Sequence, residues 1–451
     1  MISTKDLFRE FEKCREELVA FHQGLVRIPT VNTGVMPTGN ETEACKFIQN
    51  KLSTERIESE ILESAPDRGN LVARLGEAQA PSLMLMSHTD VVPIEDEKVW
   101  KYPPFSGQLA DGLIWGRGSS DCKASTSAQV MAIAILKRMG LKLKGSLILA
   151  AGADEEAGGK YGFGFLAKEH PDKIKADFAL NEGGGGVIKA KKGTAYGFCV
   201  GEKGRLEAKF RLKGKSCHAA TPWLGDNVLY KAQELLERIK GFRPDVVLTS
   251  PIFKHLDTLY GIKEKPTKRN LERIIRKVTK MNERQGVGLR AASRMTLTPT
   301  MIQAGIKSNS VPETSLLTCD IRTVPGQDEK HVQRQIRRVL KGARDVEYSL
   351  DYTAVSNQSP FDTEFARKVM SATREATGIK DLHFIPSYTN GFTDSRFVRP
   401  LGSIVYGFEP ENPHAREMPG RAHGKDEAVE AESLYVMTRM YLALCADLFL
   451  R

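Results

Sequence analysis

Apolar residues recur along the first two hundred positions as short continuous runs separated by longer stretches at helical spacing. The runs at 70–75, 83–87, 147–151 and 178–180 are short and rich in aliphatic residues, as strands are. Between them, 41–56, 125–139 and 163–170 carry the three-to-four-residue period of helices, the last ending before Pro171. Residues 1–27 show the same period. Strand alternating with helix predicts an α/β fold with a mostly parallel or mixed sheet flanked by helices.

After Val200 the texture changes. Residues 205–212 alternate apolar and polar, 227–239 read as an amphipathic helix, and 315–321, 331–340 and 346–352 repeat strand, helix, strand. This is the pattern of a smaller two-layer α+β domain, expected to be inserted at 202–356 into a first domain formed by 1–201 and 357–451. In the returning segment, 402–407 reads as a short buried strand and 427–450 as a long terminal helix.

A length of 451 residues suits two cores. The hydrophobic fraction of 41% and charged fraction of 27% are ordinary for a globular protein, and no apolar run approaches a membrane span. A cytoplasmic protein without membrane partners is expected. Seven cysteines without paired spacing argue against a disulfide framework and against a Cys-x-x-Cys metal site. The net charge of +10 is partly local, with seven basic and two acidic residues between Lys268 and Arg284. Leu271, Ile274, Ile275 and Val278 recur there at helical spacing, so the segment reads as an amphipathic helix with a basic face, and no nucleic-acid partner is expected.

The ends of the predicted strands carry acids and imidazoles. Ser87-His88-Thr89-Asp90, Gly116-Arg117-Gly118-Ser119-Ser120-Asp121-Cys122-Lys123, Asp154-Glu155-Glu156, Asn181-Glu182-Gly183-Gly184 and His423-Gly424-Lys425-Asp426-Glu427 follow in that order. Each alone is weak, since a histidine near a strand end is most often structural. Together, two imidazoles and three carboxylates at loop positions on a rigid sheet read as one dinuclear metal site. Asp121 is the natural bridge, His88 and Glu182 serve one ion, and Glu156 and His423 the other. Three carboxylates against two divalent cations leave a net positive cluster that favours hydroxide as nucleophile. Asp90, two residues beyond His88 in an extended segment, faces the same side and can accept the second N–H of that ring. Glu155, adjacent to a ligand, points away from Glu156 and is the candidate general base.

Ser87-His88-Thr89-Asp90-Val91-Val92-Pro93 and the four later motifs resemble the zinc-dependent amidohydrolases and metallopeptidases that include acetylornithine deacetylase, succinyl-diaminopimelate desuccinylase, aminoacylase and glutamate carboxypeptidase. The resemblance covers nearly the whole chain. It implies two divalent metal ions, zinc first with cobalt or manganese as alternatives, and the same roles for His88, Asp90, Asp121, Glu155, Glu156, Glu182 and His423. It also implies an inserted domain acting as lid and homodimer interface. There Cys217-His218-Ala219-Ala220-Thr221-Pro222 resembles the lid histidine motif, His218 polarising the substrate carbonyl. Asn309 and Arg322 resemble substrate-binding residues, with Arg322 as the carboxylate fork. Thr393 lies in a stretch resembling a substrate-gripping loop, where Phe392 stands in place of a common glycine, as Ala124 does after Lys123.

The expected activity is hydrolysis of the amide bond of an N-acyl amino acid or a small carboxylate-bearing peptide. A dipeptidase or carboxypeptidase of the same family is the alternative. From a different class, a basic binding protein with an inherited metal site would show no metal-dependent turnover.

Overall fold

A computed structural model describes residues 2–77, 80–415 and 422–450. Met1 and Arg451, at the ends of the predicted first domain, lie outside the described residues. The chain divides into two compact units: Met1–Val200 with Ser359–Pro386 and Thr393–Arg451, and Gly201–Gln358 with Ser387–Phe392.

The first unit is a mixed α/β layer structure. Its central sheet runs in the order Ser59–Glu63, Gly69–Gly76, Ser146–Gly152, Ser82–His88, Phe178–Asn181, Ile404–Gly407 and Thr194–Glu202. Ser82–His88 pairs in parallel with both Ser146–Gly152 and Phe178–Asn181. The carboxyl ends of these three strands therefore share one edge of the sheet, the usual place for ligands in such sheets. Leu83, Met84, Leu85, Met86, Leu147, Ile148 and Leu149 are all fully buried, which explains the continuous apolar runs. Helices Glu41–Thr54, Lys123–Arg138 and Phe163–Glu169 follow the predicted pattern. A further short helix, Pro171–Ile174, starts at the proline, where a missing N–H does no harm.

The terminal segment differs from its reading as one helix. Ala428–Glu430 is a short strand paired antiparallel with Leu113–Trp115, and the helix is Ala431–Phe449. Three residues are too few for any period to show, so only the partner strand reveals them.

The second unit is a two-layer α+β structure. An antiparallel sheet runs Thr296–Ala304, Thr314–Thr323, Gly204–Lys213, Val346–Ala354. Helices Val228–Gly241 and Glu329–Leu340 pack their buried residues, among them Val228, Leu235, Val332 and Ile336, against Leu206, Phe210, Leu317 and Ile321. A separate small core holds Phe253, Leu256, Leu271, Ile274, Ile275, Val278 and Leu289. The basic segment forms two helices there, Leu271–Met281 and Glu283–Ala291, because Asn282 takes an extended conformation and caps the second by accepting from the Gln285 N–H.

None of the seven cysteines is bridged; all are buried except Cys217, which is half-buried. Among the described residues no helix is long and apolar enough to cross a membrane.

Candidate metal centre

His88 is the last residue of its strand, Glu182 follows Phe178–Asn181 directly, and Glu155 and Glu156 open a single 3-10 turn just past Ser146–Gly152. Adjacent parallel strands thus deliver one imidazole and three carboxylates to one edge. The loop 116–122 brings Asp121 to the same place, and Gly118 turns it at φ +77°, with a backbone so close to Val91 that a Cβ would lie 2.4 Å from Cγ1.

His88 Nε2 lies 3.1 Å from Asp121 Oδ1 and 3.7 Å from Glu182 Oε2. His423 Nε2 lies 3.3 Å from the other oxygen, Asp121 Oδ2, and 3.0 Å from Glu156 Oε2. Asp121 therefore presents one oxygen to each imidazole. Donor atoms of His88, Asp121 and Glu156 lie within 4.8 Å of one another, and so do those of His88, Cys122 and Glu182.

Asp90 holds these pieces in register. His88 Nδ1 is 3.0 Å from the Asp90 carbonyl oxygen and 3.3 Å from Oδ1. The carboxylate also accepts the backbone N–H groups of Glu155 and Glu156, each at 3.1 Å. One buried side chain thus orients the ring and clamps the turn bearing both glutamates.

Several supporting residues escape sequence reasoning. Asn32 donates through Nδ2 to Asp90 at 2.8 Å and to Asp154 at 3.1 Å. Buried Arg68 donates to Glu41 at 2.8 Å and Asp154 at 2.9 Å. They fix Asp154 at φ +65°, a left-handed conformation that an aspartate tolerates at some strain. On the far side Arg117 donates to Glu427 at 2.6 Å, and Glu427 accepts from the N–H groups of Ser120 at 3.0 Å and Asp121 at 3.1 Å. This ties the His423 motif to the Asp121 loop. Arg117 and Glu427 sit inside recognised motifs, but nothing in their spacing shows that they meet.

Thr393 is buried, and its hydroxyl accepts from Asn181 Nδ2 at 3.1 Å and lies 3.0 Å from Ser395 Oγ. In the second unit, His218 stands on a two-residue strand opposite Ser310, and the Ala219 N–H donates to the Asn309 carbonyl at 3.0 Å, so His218 and Asn309 are neighbours. His218 Nδ1 accepts the Ala220 N–H at 3.1 Å. Arg322 Nε donates to Asp320 at 2.8 Å.

Burial and neighbouring charges shift the titrating groups of this cluster. Burial, then the Glu182 carboxylate, pushes Glu155 well above the usual carboxylate range. Burial also raises Glu156 and Glu182, with Asp121 adding to each. Burial alone would lower His88, but the Glu182, Asp121 and Asp90 carboxylates overcome it and raise the ring well above the imidazole range. Hydrogen bonds with Asp121 and Glu156 raise His423 to about 10. Asp394 and Glu409 add two more carboxylates that burial pushes far up. Among the described residues, no lysine or arginine pairs with Asp121, Glu155, Glu156 or Glu182. Carboxylates and imidazoles converging without a fixed cation fit divalent metal ions, which would neutralise the charge that otherwise forces protons onto the acids.

Comparison with known proteins agrees. Residues 84–447 match peptidase family M20/M25/M40. The probable succinyl-diaminopimelate desuccinylase of Staphylococcus aureus is 27% identical over 400 residues, covering 87% of this chain and 89% of that protein. An N-fatty-acyl-amino acid synthase/hydrolase of Xenopus tropicalis is 27% identical over 463 residues, covering 96% and 86%. The crystal structure of an M20 family metallo-carboxypeptidase from Sulfolobus solfataricus superposes with a TM-score of 0.70 at 18% identity, covering 95% of this chain and 98% of that one. The chain belongs to peptidase family M20/M25/M40 and is a hydrolase of that metal-dependent family.

Proposed function

We propose that this protein hydrolyses the amide bond of an N-acyl amino acid or a small peptide bearing a carboxylate, using two divalent ions. The observation that carries the proposal is Asp121, which turns one oxygen to His88 and the other to His423 inside a carboxylate cluster that no described lysine or arginine neutralises. His88 and Glu182 are assigned to one ion, Glu156 and His423 to the other, and Asp121 to both. Zinc suits this nitrogen and oxygen donor set, and cobalt or manganese accepts it too. Bound ions would supply Lewis-acid polarisation of the scissile carbonyl and a lowered pKa for water.

The chain supplies the rest. Asp90 receives the Nδ1–H of His88, which keeps Nε2 turned to the cluster. Glu155 takes the proton of the attacking water and hands it to the leaving amine nitrogen. His218, whose Nδ1 accepts a backbone N–H, carries its own proton on Nε2 and can donate it in a hydrogen bond to the carbonyl oxygen as charge develops there. Arg322, tied to Asp320 through Nε, keeps its Nη edge for a substrate carboxylate, with Asn309 and Thr393 as further substrate contacts.

A homodimer through the inserted domain is part of the proposal. Thr296–Ala304 is an edge strand of the second unit's sheet, with Met301, Ile302 and nearby Ile306 exposed, which supports pairing with a second copy.

N-acetyl and N-succinyl amino acids and dipeptides, offered to protein loaded with zinc, cobalt or manganese, test the reading. It expects release of free amine that a chelator abolishes and added metal restores. Turnover indifferent to metal removal, or none on any carboxylate-bearing amide by metal-loaded protein, would refute it.

A further inference from the structure

The basic hairpin at 271–291 plays no part in the chemistry above, and the structure separates its two faces sharply. Leu271, Ile274, Ile275, Val278 and Leu289 turn inward and are buried with Phe253, Leu256 and Ile262, so the apolar side is satisfied within the unit. On the outside, Lys268, Arg269, Arg276, Lys277, Lys280 and Arg284 are exposed and make no ion pair or side-chain hydrogen bond among the described residues. Among the described residues, only Arg273 and Arg290 of this stretch find acids, Glu264 and Glu272. An ordinary solvated helix face intersperses both signs, as the helix at Thr4–Glu12 does with Arg9 paired to Asp6. One sign sustained along a face is an electrostatic footprint for an anionic partner.

Apolar features at the same place specify the partner. A cleft of about 350 Å³ between the two helices is lined by Arg276, Lys280, Arg290, Thr279, Gly286 and Val287. Its walls include the aliphatic stems of the basic residues, with the Arg276 and Lys280 charges free to reach outward. Val287, in the second helix, and Met281, at the end of the first, are 58% and 56% exposed. No aromatic side chain occurs from Lys268 to Ala291 to stack on a base. Cations around an apolar cleft, beside exposed aliphatic residues, match phosphate head groups above the start of acyl chains.

We propose that this hairpin is a peripheral docking surface for an anionic phospholipid bilayer. Association is electrostatic first, with Met281 and Val287 entering the head-group boundary. It requires no membrane-spanning segment.

The full chain is sedimented with phosphatidylcholine vesicles and with vesicles of about three parts phosphatidylcholine to one of phosphatidylglycerol. Binding only to the second kind, weakened by added salt, is expected. Each cation near such a surface contributes roughly fivefold, so the combined variant Arg276→Gln, Lys277→Gln, Lys280→Gln, Arg284→Gln should bind more than about a hundredfold more weakly. Its thermal midpoint should not move, because these side chains make no bonds. A companion carrying Arg276→Lys and Arg284→Lys should bind as the parent does, since charge is kept. No binding to the anionic vesicles, equal binding by the glutamine variant, or preference for duplex RNA or an acidic peptide over the vesicles would overturn the proposal.

Discussion

Asp90 accepts from a ring nitrogen and two backbone N–H groups, so its carboxylate sets the position of three residues at once. Asn32 in turn spans Asp90 and Asp154. Asn32→Ala should leave metal content near that of the parent while turnover falls about tenfold or more, the usual effect of losing an outer hydrogen bond to a metal ligand's support; metal analysis beside steady-state kinetics checks it. Removing Arg68 is more severe. Arg68→Met leaves Glu41 and Asp154 buried without their guanidinium, and should destabilise the fold by about 3 to 5 kcal/mol, read from chemical denaturation. Burial and then the Asp90 carboxylate push Glu41 up to about 7 despite Arg68. None of this is legible in the sequence. Asn32, Glu41 and Arg68 are ordinary polar residues in sequence, and only the fold brings them to Asp154.

At the scale of elements, legibility follows burial. The runs ending at His88 and preceding Glu155 are buried on both faces, so hydrophobicity alone marks the strands and, with them, the edge where the acids and imidazoles collect. Ala428–Glu430 and the break at Asn282 leave no mark in the sequence pattern, because one depends on a distant partner and the other on a single cap. Helix packing also buries a titrating group. His22, on the helix Arg15–Val26, lies between Ser127 at 3.0 Å and Ser119 at 3.2 Å, and burial lowers its pKa to about 3. The unfolded chain, with an imidazole near 6.5, takes up a proton first as pH falls. The contribution of the neutral ring is therefore complete above about pH 6.5 and is lost progressively toward about pH 3, on the order of a few kcal/mol. His22→Gln should flatten the dependence of unfolding free energy on pH across that window; an unchanged slope would mean His22 is not what titrates.

At the scale of the molecule, the proposed metal ligands, general base and Thr393 lie in the first unit, while His218, Asn309 and Arg322 lie in the second. This division predicts separable kinetics. His218→Ala should chiefly lower kcat, while Arg322→Ala should chiefly raise KM for carboxylate-bearing substrates. Unchanged parameters in both variants would remove the second unit from the reaction. The order of the motifs makes the family recognisable, whereas substrate preference is not written in them, and at Phe392 and Ala124 the chain departs from the pattern those motifs resemble. The most direct test of the dinuclear site is a titration of metal-free protein with zinc, with bound metal and amide hydrolysis followed in parallel for the parent and for Glu155→Gln. Both proteins should bind about two equivalents per chain, and the parent should reach full turnover only when both are bound while Glu155→Gln stays about a hundredfold or more below it. Full activity without metal, or loss of metal binding in Glu155→Gln, would contradict the assignment.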